Sequence, residues 1–124
     1  MAGEIQLSAQ LRISKGFLTD AISANATIDC NTASPSKAGG CPLIPTTAAG
    51  TALSLGSLTT PGMSFFKNLD PTNYVEMGIQ TGGTFYPLVK IKPGEFAPFR
   101  LSTLAPYARS HTAACLLEYE IYDD

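Results

Sequence analysis

Tryptophan is absent, histidine occurs once, and only 15% of the 124 residues carry charge. An average soluble domain carries roughly 25%, so little charge is available to cover a free surface. The shortage is concentrated. From Cys30 to Phe66, thirty-seven residues hold one charged side chain, Lys37. A surface this neutral is a solubility liability on a free monomer, which implies that a partner covers much of it. Without Trp the favoured platform for stacking sugars is missing, leaving Tyr74, Tyr86 and Tyr107 as weak substitutes. No run approaches the roughly 20 apolar residues that span a bilayer, so no membrane partner is expected. The opening MAGEIQLSAQLRI has an acidic residue and an alternating pattern, where a secretory signal needs a basic start and a continuous apolar run. Export by that route is not expected.

Net charge is -2, and the one grouping of cations near aromatics, Lys90, Lys92 and Arg100 with Tyr86 and Phe99, gives little affinity for phosphate at physiological salt. Nucleic acid is therefore not an expected partner. The three cysteines, Cys30, Cys41 and Cys115, make an odd count. Reduced thiols are the default for such a chain, with a Cys30–Cys41 disulfide open to it only in oxidising surroundings.

What is present points to strands. Thirteen Thr and ten Ser, with few clustered helix formers, favour an all-β chain. At this length one domain over 1–124 is expected, burying roughly two thirds of the unfolded surface. Residues 62–101 set the fold class: four short apolar runs in forty residues are broken by Asp70-Pro71-Thr72-Asn73, Thr81-Gly82-Gly83-Thr84 and Lys92-Pro93-Gly94-Glu95. Runs so short leave no room for crossover helices, so neighbouring strands pair antiparallel.

Along the chain, Ile5, Leu7, Ala9, Leu11 and Ile13 alternate with polar residues as a half-buried strand does. Phe17–Asp29 reads as a second and third strand, with an amphipathic helix over 17–24 as the alternative. Residues 30–50 hold three prolines and three glycines and read as a long loop or arm. Thr51–Leu58 reads as a strand. Val75, Met77 and Ile79 share one face, as do Phe85, Val89 and Ile91. Pro87 and Pro98 limit their strands to edges or bulges. After a loop ending near Ser110, His111–Tyr122 alternates again, with Ala113, Cys115, Leu117, Tyr119 and Ile121 on one side. Asp123 and Asp124 read as a frayed end. Placing the two long strands together or on facing sheets closes an antiparallel β-sandwich of about seven to nine strands.

No constellation carries catalysis. Zinc sites usually pair ligands two to four residues apart, a spacing that Cys30, Cys41, His111 and Cys115 lack. On one strand His111 and Cys115 would stand about 13 Å apart, too far for a nucleophile and its base. Glu118 and Glu120 fall on a solvated face, and Asp70 and Glu95 sit in turns. Asn68, Asp70 and Asn73 offer oxygens to calcium without a recognised ligand spacing. Gly39-Gly40 and Gly82-Gly83 are turns and not phosphate cradles. A jelly-roll isomerase or hydrolase would need several histidines, so no enzyme activity, catalytic residue, metal or cofactor is expected.

The segments FFKNLDPTNYVEMGI, GTFYPLVKIKPGEFAPFRL and the closing LEYEIYD resemble small structural proteins of tailed bacteriophages, over roughly the last half of the chain. In those proteins an aromatic-Lys-Asn-Leu-Asp turn precedes one strand and a Lys-Pro-Gly-Glu turn another, within a jelly-roll sandwich. The resemblance implies a non-enzymatic virion component assembled in the host cytoplasm. With the low surface charge and the proline-limited edges, it leads to a capsid decoration (cement) protein. Such a chain would be a homo-oligomer, most simply a trimer, on the major capsid protein or another virion protein. A tail, fibre or head-fibre module that recognises a host surface is the alternative. The residues expected to touch a partner are Leu43, Ile44 and Pro45 in the arm and Phe96 and Pro98 at an edge, with burial in the protein's own core as the competing reading of each.

Overall fold

The computed structural model describes residues 3–103 and 105–124. Met1, Ala2 and Leu104, the last within the expected loop, lie outside the described residues. Among the described residues there are eleven strands and no helix, and the strand pairs are antiparallel. The all-β, antiparallel expectation is met, with more strands than the seven to nine anticipated. The chain divides after Ala33 into two compact units. Where the sequence reading draws one domain over 1–124, the hydrophobic core belongs to residues of Ser34–Asp124 alone.

The first unit is a two-stranded ribbon. β1 (Ile5–Lys15) pairs with β2 (Leu18–Ile28) without a slip, from Ile5↔Ile28 to Lys15↔Leu18. Gly16 and Phe17 form the turn, and Gly16 takes a φ of 60° while Phe17 stays at negative φ. That is the II′ pattern, in which a residue without Cβ supplies the left-handed position and the turn matches the twist of the strands. At the open end the Gly3 N–H donates to Asp29 Oδ1 at 2.7 Å and the Cys30 N–H to Glu4 Oε2 at 3.3 Å. Two expectations are corrected here. Residues 17–29 hold one strand rather than two, and β1 is exposed along most of its length instead of half-buried. Its pairing with β2 alone explains this, because two strands have no second layer to bury a face against.

The second unit has two sheets. One runs β3 (Lys37–Gly40), β11 (Cys115–Asp123), β6 (Pro61–Asn68), β9 (Phe96–Arg100), with β4 (Leu43–Ile44) also on β11. The other runs β5 (Thr51–Ala52), β10 (Tyr107–Ser110), β7 (Val75–Thr81), β8 (Thr84–Ile91). From β4 to β11 every connection changes sheet except the β7–β8 hairpin. Both sheets feed one core, with Phe66, Leu117, Tyr119 and Ile121 from the first and Val75, Met77, Ile91 and Ala108 from the second. Phe66 stacks between Phe99 and Tyr119, with ring centroids 5.3 and 5.9 Å away.

The segment read as an arm contains a strand. Lys37–Gly40 and Leu43–Ile44 keep the same offset along β11, from Tyr122↔Lys37 to Cys115↔Ile44, so β3 and β4 are one strand interrupted at Cys41-Pro42. Pro42 has no N–H to donate, yet its carbonyl accepts from the Leu117 N–H at 3.0 Å. Other boundaries also move. Only Thr51–Ala52 of the run 51–58 is strand, Tyr107–Ser110 is a strand where a loop was expected, and the last strand opens at Cys115.

A bulge in β8 redirects one side chain. Met77 pairs with Val89 but Gly78 with Pro87, leaving Leu88 unpaired. This inserts one residue and flips the faces beyond it, so Phe85 leaves the face of Val89 and Ile91 on which its parity places it. It is buried on the other side of the sheet, beneath Gly50 and with the Arg109 guanidinium 4.7 Å from its ring centroid. Gly50 has a φ of 79°, and a Cβ there would lie 2.6 Å from Phe85 Cδ1. Arg109 is held by Glu76 Oε1 at 3.0 Å and the Ala48 carbonyl at 3.1 Å.

Three polar side chains fasten the strand ends. Ser110 Oγ donates to the Ile44 carbonyl at 2.6 Å and accepts from the Cys115 N–H at 3.0 Å. Asn68 donates through Nδ2 to the carbonyls of Asn73 and Ile91 and accepts the Asp70 N–H through Oδ1. Asp123, expected in a frayed end, is buried. Its carboxylate accepts the backbone N–H groups of Ser36, Thr59 and Thr60, at 2.9, 3.3 and 3.4 Å. The reason is that β11 continues through this residue, which β6 still pairs, at Pro61, after a one-residue shift in register beyond Ile121.

Two predictions arise here. Ser110→Ala strands a buried carbonyl and a buried N–H, and should lower unfolding stability by roughly 1–3 kcal/mol in a urea titration. The second concerns acid. The Ser36 N–H, foremost, and those of Thr60 and Thr59 hold the Asp123 carboxyl below its ordinary value, and those of Asn73 and Thr72 do the same for Asp70. A carboxyl depressed in the folded state contributes stability that is complete above about pH 4, the unfolded value, and is lost as pH falls through the folded value. The melting temperature should therefore decline below about pH 4, and Asp123→Asn should lower it at neutral pH while flattening that decline.

Candidate interaction surfaces

Strand alternation sends half of each strand outward, and on the β3-β11-β6-β9 sheet the outward set mixes apolar groups with Lys67 of β6 and Glu118 and Glu120 of β11, Lys67 standing between Glu118 and Phe96. Phe65 of β6 stands opposite Pro98 of β9 and stacks on Phe96, ring centroids 5.6 Å apart. Phe96 is 61% exposed. Further along the face Leu43 pairs with Leu116, at 64% and 39% exposure. Charges surround these groups in balanced pairs. Lys37 reaches Glu120 Oε1 at 3.0 Å, and Arg100 reaches Asp124 Oδ1 at 3.0 Å. The Lys37 hydrogen bond, followed by that from the Tyr122 O–H, draws the Glu120 carboxyl below its ordinary value, and Glu120 in turn raises Lys37. Exposed pairs of this kind add little stability. Their effect is to leave an aromatic patch at the β9 side of the face beside charges of balanced sign.

Of the five residues expected to touch a partner, Leu43, Pro45 and Phe96 are exposed and Pro98 is half-buried beside Phe65. Ile44 is corrected to the core, at 1% exposure. Once 43–44 is a strand, adjacent residues must face opposite ways, so Leu43 and Ile44 cannot share a role. Pro45 presents its ring, while its carbonyl accepts the Ser110 N–H at 3.1 Å. The structure thus brings Leu43, Phe96 and Pro98 to one sheet, through β4 and β9. Phe65 and Leu116 belong with them and were missed. Their signal was the alternation of their own strands, Phe65 against Phe66 and Leu116 against Leu117.

A second surface lies where the two sheets part between edge strands β8 and β9. It is a groove of about 470 Å³ lined chiefly by Met77, Ile79, Leu88, Val89, Phe99 and Leu101. Ile79 continues the core face of β7 past the point where the other sheet can cover it, and Leu88 is the bulged residue. The groove can take an extended apolar segment, and nothing in it carries acid–base chemistry.

The remaining candidate chemistry is absorbed into the fold. Cys115 is fully buried, burial pushes its thiol up, and its Sγ lies 3.5 to 3.7 Å from the carbonyls of Asn73, Tyr74 and Ala113. A thiol in that setting is not a nucleophile. His111 precedes the strand, across a tight turn in which Thr112 has a φ of 67°, and stacks on Tyr74 with centroids 4.8 Å apart. Lys90 Nζ lies 4.1 Å from the Tyr74 ring centroid, and Arg100 is engaged by Asp124, so the suggested cation grouping is divided between other roles. Cys41 and Cys115 are free thiols. Asn68, Asp70 and Asn73 spend their oxygens on backbone groups and turn contacts. Among the described residues no three His, Cys, Asp or Glu side chains converge as a metal site would require.

Comparison with protein-family models, with curated proteins and with solved structures gives no match for this chain.

Proposed function

We propose that this chain is a capsid decoration protein of a tailed bacteriophage, built on a jelly-roll sandwich, that binds the outer shell as a homo-oligomer and braces it. The observation that carries the reading is the strand order. A jelly roll lays eight strands in two sheets through two Greek keys, and viral capsid domains are among its users. With β3 and β4 counted as one interrupted strand, the orders β3-β11-β6-β9 and β5-β10-β7-β8, with a change of sheet at every link but one, support that architecture. The outward face around Phe96 supports a docking role. Its aromatic patch supplies the apolar anchor that interfaces rely on, and its paired charges leave little to oppose contact with a neutral shell. A scaffold shared with lectins and cupins does not identify an activity by itself, so the reading rests equally on this face and on the low charge of the whole chain.

The test is binding of the purified protein to capsids that lack it, followed by electron cryo-microscopy of the decorated particle. Density should repeat on the capsid lattice, and the particles should survive heating that breaks undecorated ones. Phe96→Ser should weaken binding about thirtyfold, the effect of losing an aromatic anchor, with the melting temperature of the free protein little changed. Density confined to the tail or to fibres, or particles no tougher than bare ones, would discard the decoration role. In the first of those cases recognition of a host surface becomes the working assignment.

A further inference from the structure

We propose that the β1–β2 ribbon is the oligomerisation element, and that its apolar face packs against the same face of a second copy of this chain with both ribbons pointing the same way. The inference deepens the oligomeric part of the proposed function and rests on it.

The register divides the ribbon into two unlike faces. Partners share a face, so Ile5/Ile28, Leu7/Ala26, Ala9/Ala24, Leu11/Ile22, Ile13/Asp20 and Lys15/Leu18 lie on one side. Gln6/Thr27, Ser8/Asn25, Gln10/Ser23, Arg12/Ala21 and Ser14/Thr19 lie on the other. The second face is polar, and on it Ser8 Oγ donates to Asn25 Oδ1 at 2.6 Å. The first is apolar but for Asp20 and Lys15, and it is exposed: Leu11 is 75% exposed and Ile22 66%. A ribbon this amphipathic, with only two strands, lacks the second apolar layer that gives such an element stability in water.

The two charges select the occupant. Lys15 and Asp20 are diagonal neighbours near the ribbon tip, of opposite sign, on a face otherwise without charge. If a second ribbon packs with its tip at the same end, a rotation axis along the strands sets β1 of each copy against β2 of the other. Lys15 of one copy then lies over Leu18 of its partner, one row from the partner's Asp20, and the exchange occurs twice. With the tips at opposite ends, Lys15 and Asp20 would instead be pressed against Ile5, Ile28, Leu7 and Ala26, with only each other to pair. An unrelated apolar surface would leave the charges in the same position. At the middle of the face Ala9, Ala24 and Ala26 let the two backbones approach closely. Eleven-residue strands make a face about 35 Å long and roughly 10 Å wide, below the roughly 800 Å² per partner of a standard interface, so the contact should dissociate on dilution.

Sedimentation equilibrium of the full-length protein between about 1 and 100 μM tests this. Wild type should self-associate reversibly. Leu11→Asp should abolish association, whereas Gln10→Asp, one residue away on the polar face, should change the dissociation constant less than about twofold. Lys15→Asp makes the tip level doubly negative and Asp20→Lys doubly positive, so each alone should associate about tenfold more weakly. An equimolar mixture of the two should return to near the wild-type constant, which pairing within one chain cannot bring about. A wild-type chain that stays monomeric, a Leu11→Asp chain that associates normally, or a mixture no tighter than its components would overturn the inference. Capsid binding separates it from the functional reading. An oligomer formed through the ribbon that ignores capsids removes the decoration role alone, and a monomer that decorates capsids removes the ribbon contact and the homo-oligomer while leaving the decoration role.

Discussion

The unit from Ser34 to Asp124 depends on the register that β11 keeps with its neighbours. Its inward residues Cys115, Leu117, Tyr119 and Ile121 occupy the centre of the core, and it is paired on one side by β3 and β4 and on the other by β6. A slip of one residue would turn that apolar set toward solvent and bring Leu116, Glu118, Glu120 and Tyr122 into the core. The burial of two carboxylates in exchange for four well-packed side chains is far outside what a domain's net stability can absorb. Polar groups at the strand ends hold the register against such a slip. Asp123 closes one end through Ser36, Thr59 and Thr60, and Ser110 closes the other through Ile44 and Cys115.

The same register explains which parts of this architecture were legible in the sequence. Strict period-two alternation in the last strand named Cys115, Leu117, Tyr119 and Ile121 correctly as inward, because burial on one face is what writes that pattern, while Ala113 lies before the strand and is exposed. Turn chemistry placed the β7–β8 hairpin at Gly82-Gly83 and the break at Pro93-Gly94 for the same kind of local reason. The strand at 37–44 was not legible, since two glycines and Pro42 erase its alternation while the ladder to β11 survives around them. Phe85 was assigned to the wrong face because the one-residue bulge at Leu88 changes parity without a mark in composition. In the candidate site, Phe96 and Leu43 could be chosen from their exposed, apolar character. Phe65 and Leu116 were legible only as the outward neighbours of Phe66 and Leu117, a signal of facing and not of contact.

The ribbon shows the limit of pattern reading most clearly. Its alternation is as regular as that of β11, and alternation states only that one face is to be covered. In β11 the cover is the other sheet. In β1 and β2 the exposed Leu11, Ile13, Leu18 and Ile22 carry the pattern without the burial.

The edges of the two sheets direct where assembly can occur. A free edge is an open template for pairing with another chain, and each edge here is guarded. β8 is bent by the bulge at Leu88 and interrupted by Pro87. β9 carries Pro98, which cannot donate. β5 is two residues long, and β3 presents Lys37 with two glycines in place of apolar side chains. Addition of a strand from a neighbour is thereby disfavoured on all four sides, even though the charge on the chain is too sparse to keep copies apart. What these two sheets leave open is their faces, of which the one around Phe96 carries exposed aromatic surface. Faces, unlike edges, select partners by side-chain shape and charge, so a chain poor in charge can associate in a defined way without polymerising through its sheets.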